Sequence, residues 1–142
     1  MKIRLTHEHL RAIEVHGEVT YPNEGAGFLL GHVNGDSVEV AATLPVPNKR
    51  EAEAQFNRYE LSPHDFLRAE LEAARRNLSV VGVFHSHPDH PARPSEFDRN
   101  HALPNLSYLI TSVEKGRART TCAWRLREDR SAFDEDLVET VP

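Results

Sequence analysis

The chain has 142 residues, 39% hydrophobic and 27% charged, a balance that fits one folded globular domain over residues 1–142 rather than a disordered segment. Its formal net charge of −5 argues against general affinity for nucleic acid or an anionic membrane, since both need a basic face. The single cysteine, Cys122, excludes an internal disulfide and a clustered thiolate zinc site, and no apolar run approaches the roughly 18 residues of a membrane span. With no signal-peptide pattern in the charged, His-rich N-terminal stretch, a cytoplasmic location is expected.

In chain order, the alternation of "MKIRL" predicts a short strand, and Thr6 can cap a helix running to about Glu18 with Leu10, Ile13 and Gly17 inward. Tyr21-Pro22-Asn23 stops that helix. "GAGFLLGHV" reads as a buried strand, and Asn34-Gly35-Asp36 as a hairpin turn into "SVEVAATLPV". Residues 47–55 are polar and predict a loop, after which "FNRYEL" resumes an extended run. Ser62-Pro63 supplies an N-cap and a first-turn proline for a helix whose inner face is expected at Leu67, Leu71, Ala74 and Leu78, ending near Asn77.

"SVVGVF" is a buried strand leading into "HSHPDHPARPSEFD", residues 85–98. A short helix is expected from Ser95 to about Leu103. "LSYLITSV", "RARTTCAWRLR" and "AFDEDLVET" follow as strands, the last acidic and expected at a sheet edge. The pattern is one mixed α/β (α+β) domain, with a sheet largely antiparallel in its second half. Tyr108 and Trp124 are expected in the core or on a strand face, and Cys122 as a small buried hydrophobe.

The segment 85–98 carries the chemistry. His85 and His87 lie two apart on a strand, so both imidazoles leave one face while Ser86 points the other way. A loop stiffened by Pro88, Pro91 and Pro94 separates them from Asp98 and can bring its carboxylate back to the same ion. Two imidazoles and a carboxylate leave a coordination position open for water, as in catalytic zinc sites. A plainer reading stands beside this one: Ser95 and Asp98 have the spacing of a capping box, which alone accounts for both residues.

His85-Ser86-His87-Pro88 followed by Ser95-Glu96-Phe97-Asp98 resembles the signature of the JAMM (MPN-plus) metalloproteases. "YPNEGAGFLLG" is similar to that family's glutamate-bearing segment, "VVGVFHSHP" to its metal strand and "SYLITS" to the strand that follows. The resemblance implies a curved, mixed, largely antiparallel sheet flanked by about three helices. It implies one zinc ion per chain held by His85, His87 and Asp98, with Glu24 as general acid/base and Ser95 as oxyanion-stabilising serine. His7, His9, His16, His32, His64 and His101 receive no role; His90 lies in the motif loop and is not expected to be a ligand.

The short chain is most similar to the small stand-alone prokaryotic branch, which implies a peptidase or isopeptidase cutting after the C-terminal Gly-Gly tail of a ubiquitin-like or sulfur-carrier protein. Residues 47–55 and the adjoining "FNRYEL" run are expected to pair with that tail. Many such relatives carry a cysteine where this chain has Gly25 or Ala26, and Ser86 differs from the asparagine of the DNA-repair-associated relatives. Two other readings remain at this point: a non-catalytic MPN-type scaffold, and an iron oxygenase using two histidines and a carboxylate, although the ligand order here is the reverse of the usual one. Oligomeric state is left open.

Overall fold

The computed structural model describes residues 1–47 and 59–142. Among these described residues seven strands and three helices follow in the order β1 (Lys2–Thr6), α1 (His7–Thr20), β2 (Ala26–Asn34), β3 (Ser37–Val46), α2 (Pro63–Arg75), β4 (Ser79–Pro88), α3 (Glu96–His101), β5 (Ser107–Glu114), β6 (Arg117–Leu126) and β7 (Phe133–Val141). The strands hydrogen-bond in the order β1-β3-β2-β4-β5-β6-β7, and β7 returns to β1, so the curved sheet closes on itself. Consecutive hairpins make β2/β3, β5/β6 and β6/β7 antiparallel, whereas β4/β5, β1/β3 and β1/β7 are parallel. No helix among the described residues is long and apolar enough to cross a membrane.

Local chemistry explains the boundaries. The Thr6 hydroxyl accepts from the His9 amide and starts α1, and Gly35 at φ +65° makes the β2–β3 turn. The Ser62 hydroxyl accepts from the Asp65 amide while the Asp65 carboxylate accepts from the Ser62 amide, a complete capping box ahead of α2.

The central strands bury both faces. Leu29, Val81, Phe84 and Leu109 join Ile3, Leu5, Ile13, Val38 and Val40 in one core, packed under α1. Their alternating neighbours Phe28, Leu30, Val83 and Tyr108 join Ala69, Ala73 and Leu126 in a second core, packed under α2. β2 and β4 therefore read as nearly continuous apolar runs.

Three expectations need correction. The inner face of α2 is Ala69 and Ala73 with Phe66 partly buried beside them, whereas Leu67 and Leu71 are 52% and 63% exposed. Both stripes satisfy helical periodicity; alanine admits the closer approach to β4 and β2, and Phe66 fills the volume against Phe28 at a ring distance of 4.8 Å. β7 is not an edge, because β6 and β1 flank it. Three of its four acidic residues are instead matched across the sheet, with Arg125 on Asp136 at 2.7 Å, Arg127 on Asp134 at 2.9 Å and Arg4 on Glu139 at 2.7 Å. Finally, Tyr59–Leu61 form no strand. The rest of that run and the loop expected at 48–55 lie outside the described residues.

The α2 correction is testable by urea denaturation. Ala69→Leu, overfilling a fully buried site, should cost about 1–3 kcal/mol. Leu67→Ala, at an exposed site, should stay within about 0.5 kcal/mol. The reverse ranking would restore the leucine face.

Candidate active site

β4 stays in its ladder through the motif. His85, Ser86, His87 and Pro88 pair with Ile110, Thr111, Ser112 and Val113 of β5. Phe84 points into the core beneath α1, so strand alternation sends His85 and His87 to the opposite face and Ser86 back towards α1, beside Gly17. On the other side of β4, Ala26 of β2 stands opposite His85, which places Glu24, two residues earlier, at the level of the motif.

The loop after β4 is tied down at successive points. The Asp89 amide donates to the Val113 carbonyl at 2.7 Å, the Ser112 hydroxyl to the His90 carbonyl at 2.7 Å and the Trp124 indole to the Ala92 carbonyl at 2.9 Å. α3 then begins with a capping box in which the Ser95 hydroxyl accepts from the Asp98 amide at 3.0 Å, and Asp98 Oδ2 accepts from the Ser95 amide at 2.8 Å. The capping reading is therefore correct, and the cap itself aims Asp98 at the histidines.

Four ionisable side chains meet there. Asp98 Oδ2 lies 3.1 Å from His87 Nε2, Asp98 Oδ1 lies 3.7 Å from His85 Nε2, and Glu24 Oε1 lies 3.6 Å from His85 Nδ1. Glu24, His85 and His87 each offer a ligand atom within 4.8 Å of the others. All four residues are buried, at 4%, 2%, 6% and 4% exposure for Glu24, His85, His87 and Asp98. Burial works against charge on Asp98, but the two imidazoles and the Ser95 amide overcome it and hold its carboxyl well below the usual carboxylate range. Burial likewise opposes charge on His87, and the hydrogen bond to Asp98 with the Asp98 and Glu24 charges outweighs it, raising its pKa.

The donor set fits a metal ion. His87 Nδ1 lies 2.9 Å from the Pro91 carbonyl, which can only accept, so Nδ1 carries a proton. Nε2, 3.1 Å from Asp98 Oδ2, donates to that carboxylate when the ring is charged and offers its lone pair to a metal when the ring is neutral. A metal cation binding there would take the place of the Nε2 proton between ring and carboxylate. Neither ring nitrogen of buried His85 has a hydrogen-bond partner among the described residues, an arrangement that costs free energy unless something polar fills it.

Glu24, His87 and Ser95 also line a cleft of about 320 Å³, with His90, Arg93 and Phe97 at its rim. His85 and Asp98 do not line it themselves but contact His87 and Glu24, which do. Ser95 is exposed, and because its oxygen only accepts in the cap, its proton remains available to a group in the cleft. Tyr59 was missed from sequence: its ring stacks on His85 at 4.4 Å between centroids and 29° between planes, and no motif spacing links position 59 to 85. Tyr59 is buried, and burial together with the charges of Asp98 and Glu24 raises its hydroxyl pKa well above the ordinary value. Cys122 is only half-buried, in a second cleft beside Arg93, Arg119 and Glu135, because that face of β6 is covered by the motif loop rather than by a helix.

The chain is 32% identical over 97 residues to a Thermus thermophilus protein named probable TtuB-protein conjugate cleaving protease, covering 68% of this chain and 61% of that protein's length. It is 37% identical over 120 residues to a protein of Pyrococcus furiosus named desampylase, covering 78% of this chain and 82% of the relative. A solution structure of a Desulfitobacterium hafniense protein superposes with a TM-score of 0.85 at 28% identity, over 99% of this chain and 93% of that one. A JAB1/MPN domain protein from Archaeoglobus fulgidus, 19% identical, shares the fold over 100% of both chains at a TM-score of 0.58. The model of the prokaryotic homologs of the JAB domain matches residues 6–127, and the chain belongs to that family.

Proposed function

We propose that residues 1–142 form one zinc-dependent isopeptidase domain that hydrolyses the amide bond after the Gly-Gly tail of a ubiquitin-like or sulfur-carrier protein, with His85, His87 and Asp98 as zinc ligands, Glu24 as general acid/base and Ser95 as oxyanion donor. The observation that carries the reading is the convergence of two imidazoles and two carboxylates, all buried, at the back of a cleft that Glu24 and Ser95 line. The Thermus relative's name supports a protein conjugate as the substrate class. The Gly-Gly tail follows from the family resemblance; a cytoplasmic site of action is the expectation set by the sequence.

Zinc held here would lower the pKa of a bound water from 15.7 to about 7 and polarise the scissile carbonyl. The protein supplies the rest. Glu24, shielded from bulk water, accepts the proton of the attacking water and returns it to the leaving nitrogen. Ser95, its oxygen already engaged by the Asp98 amide, donates a hydrogen bond to the carbonyl oxygen as that atom gains charge. The Pro91 carbonyl fixes the tautomer of His87, and Tyr59 holds the plane of His85. A non-catalytic scaffold would be expected to have lost one of these side chains, and family membership speaks against an iron oxygenase.

Two measurements follow. Metal analysis should find about one zinc per chain, lost in His87→Ala and in Asp98→Ala but kept in His90→Ala, whose exposed ring lies at the cleft rim. Full zinc in both ligand variants would overturn the ligand assignment. Glu24→Gln keeps size and removes the proton acceptor, so single-turnover cleavage of a Gly-Gly-tailed conjugate should fall by at least about 10² while zinc content holds. Near-normal turnover at full zinc would remove Glu24 from the chemistry.

A further inference from the structure

We propose that Ser86 is a positioning residue for Glu24, fixing the peptide from which the proton-transferring carboxylate springs; the assignment rests on the reading of Glu24 given above. Ser86 sits between the two imidazoles in sequence yet faces away from them. Its neighbour on that face, Phe84, is a core residue, and Ser86 itself is buried. A hydroxyl at such a position needs a reason.

The reason lies across the ladder. The Gly25 amide donates to the Ser86 hydroxyl oxygen at 2.9 Å, and the Ser86 amide donates to the Gly25 carbonyl at 3.0 Å. These two bonds add one rung beyond the last paired residues, Ala26 and His85, where β2 has not yet begun. The Gly25 amide belongs to the Glu24–Gly25 peptide. Holding that N–H fixes the peptide plane attached to the Glu24 Cα, and with it the direction in which the side chain leaves the backbone. The same Ser86 backbone sits between His85 and His87, so one residue ties the base to both imidazoles.

Steric detail supports a bracket built for close approach. A Cβ at Gly25 would lie 2.6 Å from the Thr20 hydroxyl and 2.9 Å from the His16 ring, and one at Gly17 would lie 3.2 Å from Ser86 Cβ. Glycine at both positions lets α1 seat its backbone against the bracket. An alanine at 86 would leave the buried Gly25 N–H without its acceptor.

The test is a double-mutant cycle in single-turnover cleavage of a Gly-Gly-tailed conjugate, with zinc measured on every sample. Small misplacements of a reacting group cost up to about 10² in rate, so Ser86→Ala alone should keep its zinc and lose about 10-fold or more in turnover, with substrate binding little changed. Added to Glu24→Gln, the same change should cost less than about 2-fold further, because the group it positions is already gone. Ser86→Thr, which keeps the hydroxyl, should recover most of the rate. If Ser86→Ala does not fold, Ser86→Cys, of similar size but a weak acceptor, carries the same comparison. Full turnover in Ser86→Ala, or an equal loss in both backgrounds, would overturn the positioning role and leave the function standing. Normal turnover in Glu24→Gln alone would instead overturn the functional reading itself.

Discussion

The register between β2 and β4 decides where the chemical groups stand. Gly27 pairs with Phe84 and Ala26 with His85, and that pairing is locked from the core side. Gly27 has no side chain because the Phe84 ring occupies the space; a Cβ there would lie 2.3 Å from it. Slipping the strand by one residue would turn Phe84 into the cleft and the imidazoles into the core beneath α1. The apolar packing that stabilises the sheet therefore also sets the separation of Glu24 from His85. Fold and site share one constraint.

Against that frame stands an electrostatic demand. Burying ionised side chains costs several kcal/mol per charge unless they are paired and hydrogen-bonded. Here two carboxylates and two imidazoles are buried within hydrogen-bonding or near-contact range of one another. The protein answers part of the demand itself, through the Ser95 amide on Asp98 and the Pro91 carbonyl on His87. A divalent cation among the four would answer the rest, and by binding only the folded arrangement it would add to stability. The proline-rich loop has a mechanical part in this: its hydrogen bonds to β5 and β6 keep α3, and so Asp98, from swinging away.

Much of this was legible in the sequence because the signals are short-range. Strand alternation put His85 and His87 on one face, and the Ser95/Asp98 spacing announced a cap that the structure contains. The hairpin at Gly35 and the capped start of α2 were readable for the same reason. What was not legible depends on partners distant in sequence. Two apolar stripes on α2 fit the helical period equally well, and only the surface of β2 and β4 selects alanines over leucines. The acidic tail strand resembled an edge until β1 closed the sheet against it. Glu24 had no local mark to separate it from Glu18 without the family resemblance, and Tyr59 had none at all; a sheet register and a ring stack bring both to the histidines.

The proposed chemistry needs Glu24 beside the metal and Asp98 on it, although both carboxylates approach His85 at nearly equal distances, 3.6 and 3.7 Å. Crystals of the zinc-loaded protein, with anomalous diffraction recorded on both sides of the zinc edge, would separate the two roles. The expected result is one zinc peak bonded to His85, His87 and Asp98, with the Glu24 carboxylate outside the coordination shell. A peak bonded to Glu24 in place of Asp98, or one lying away from the two histidines, would contradict it.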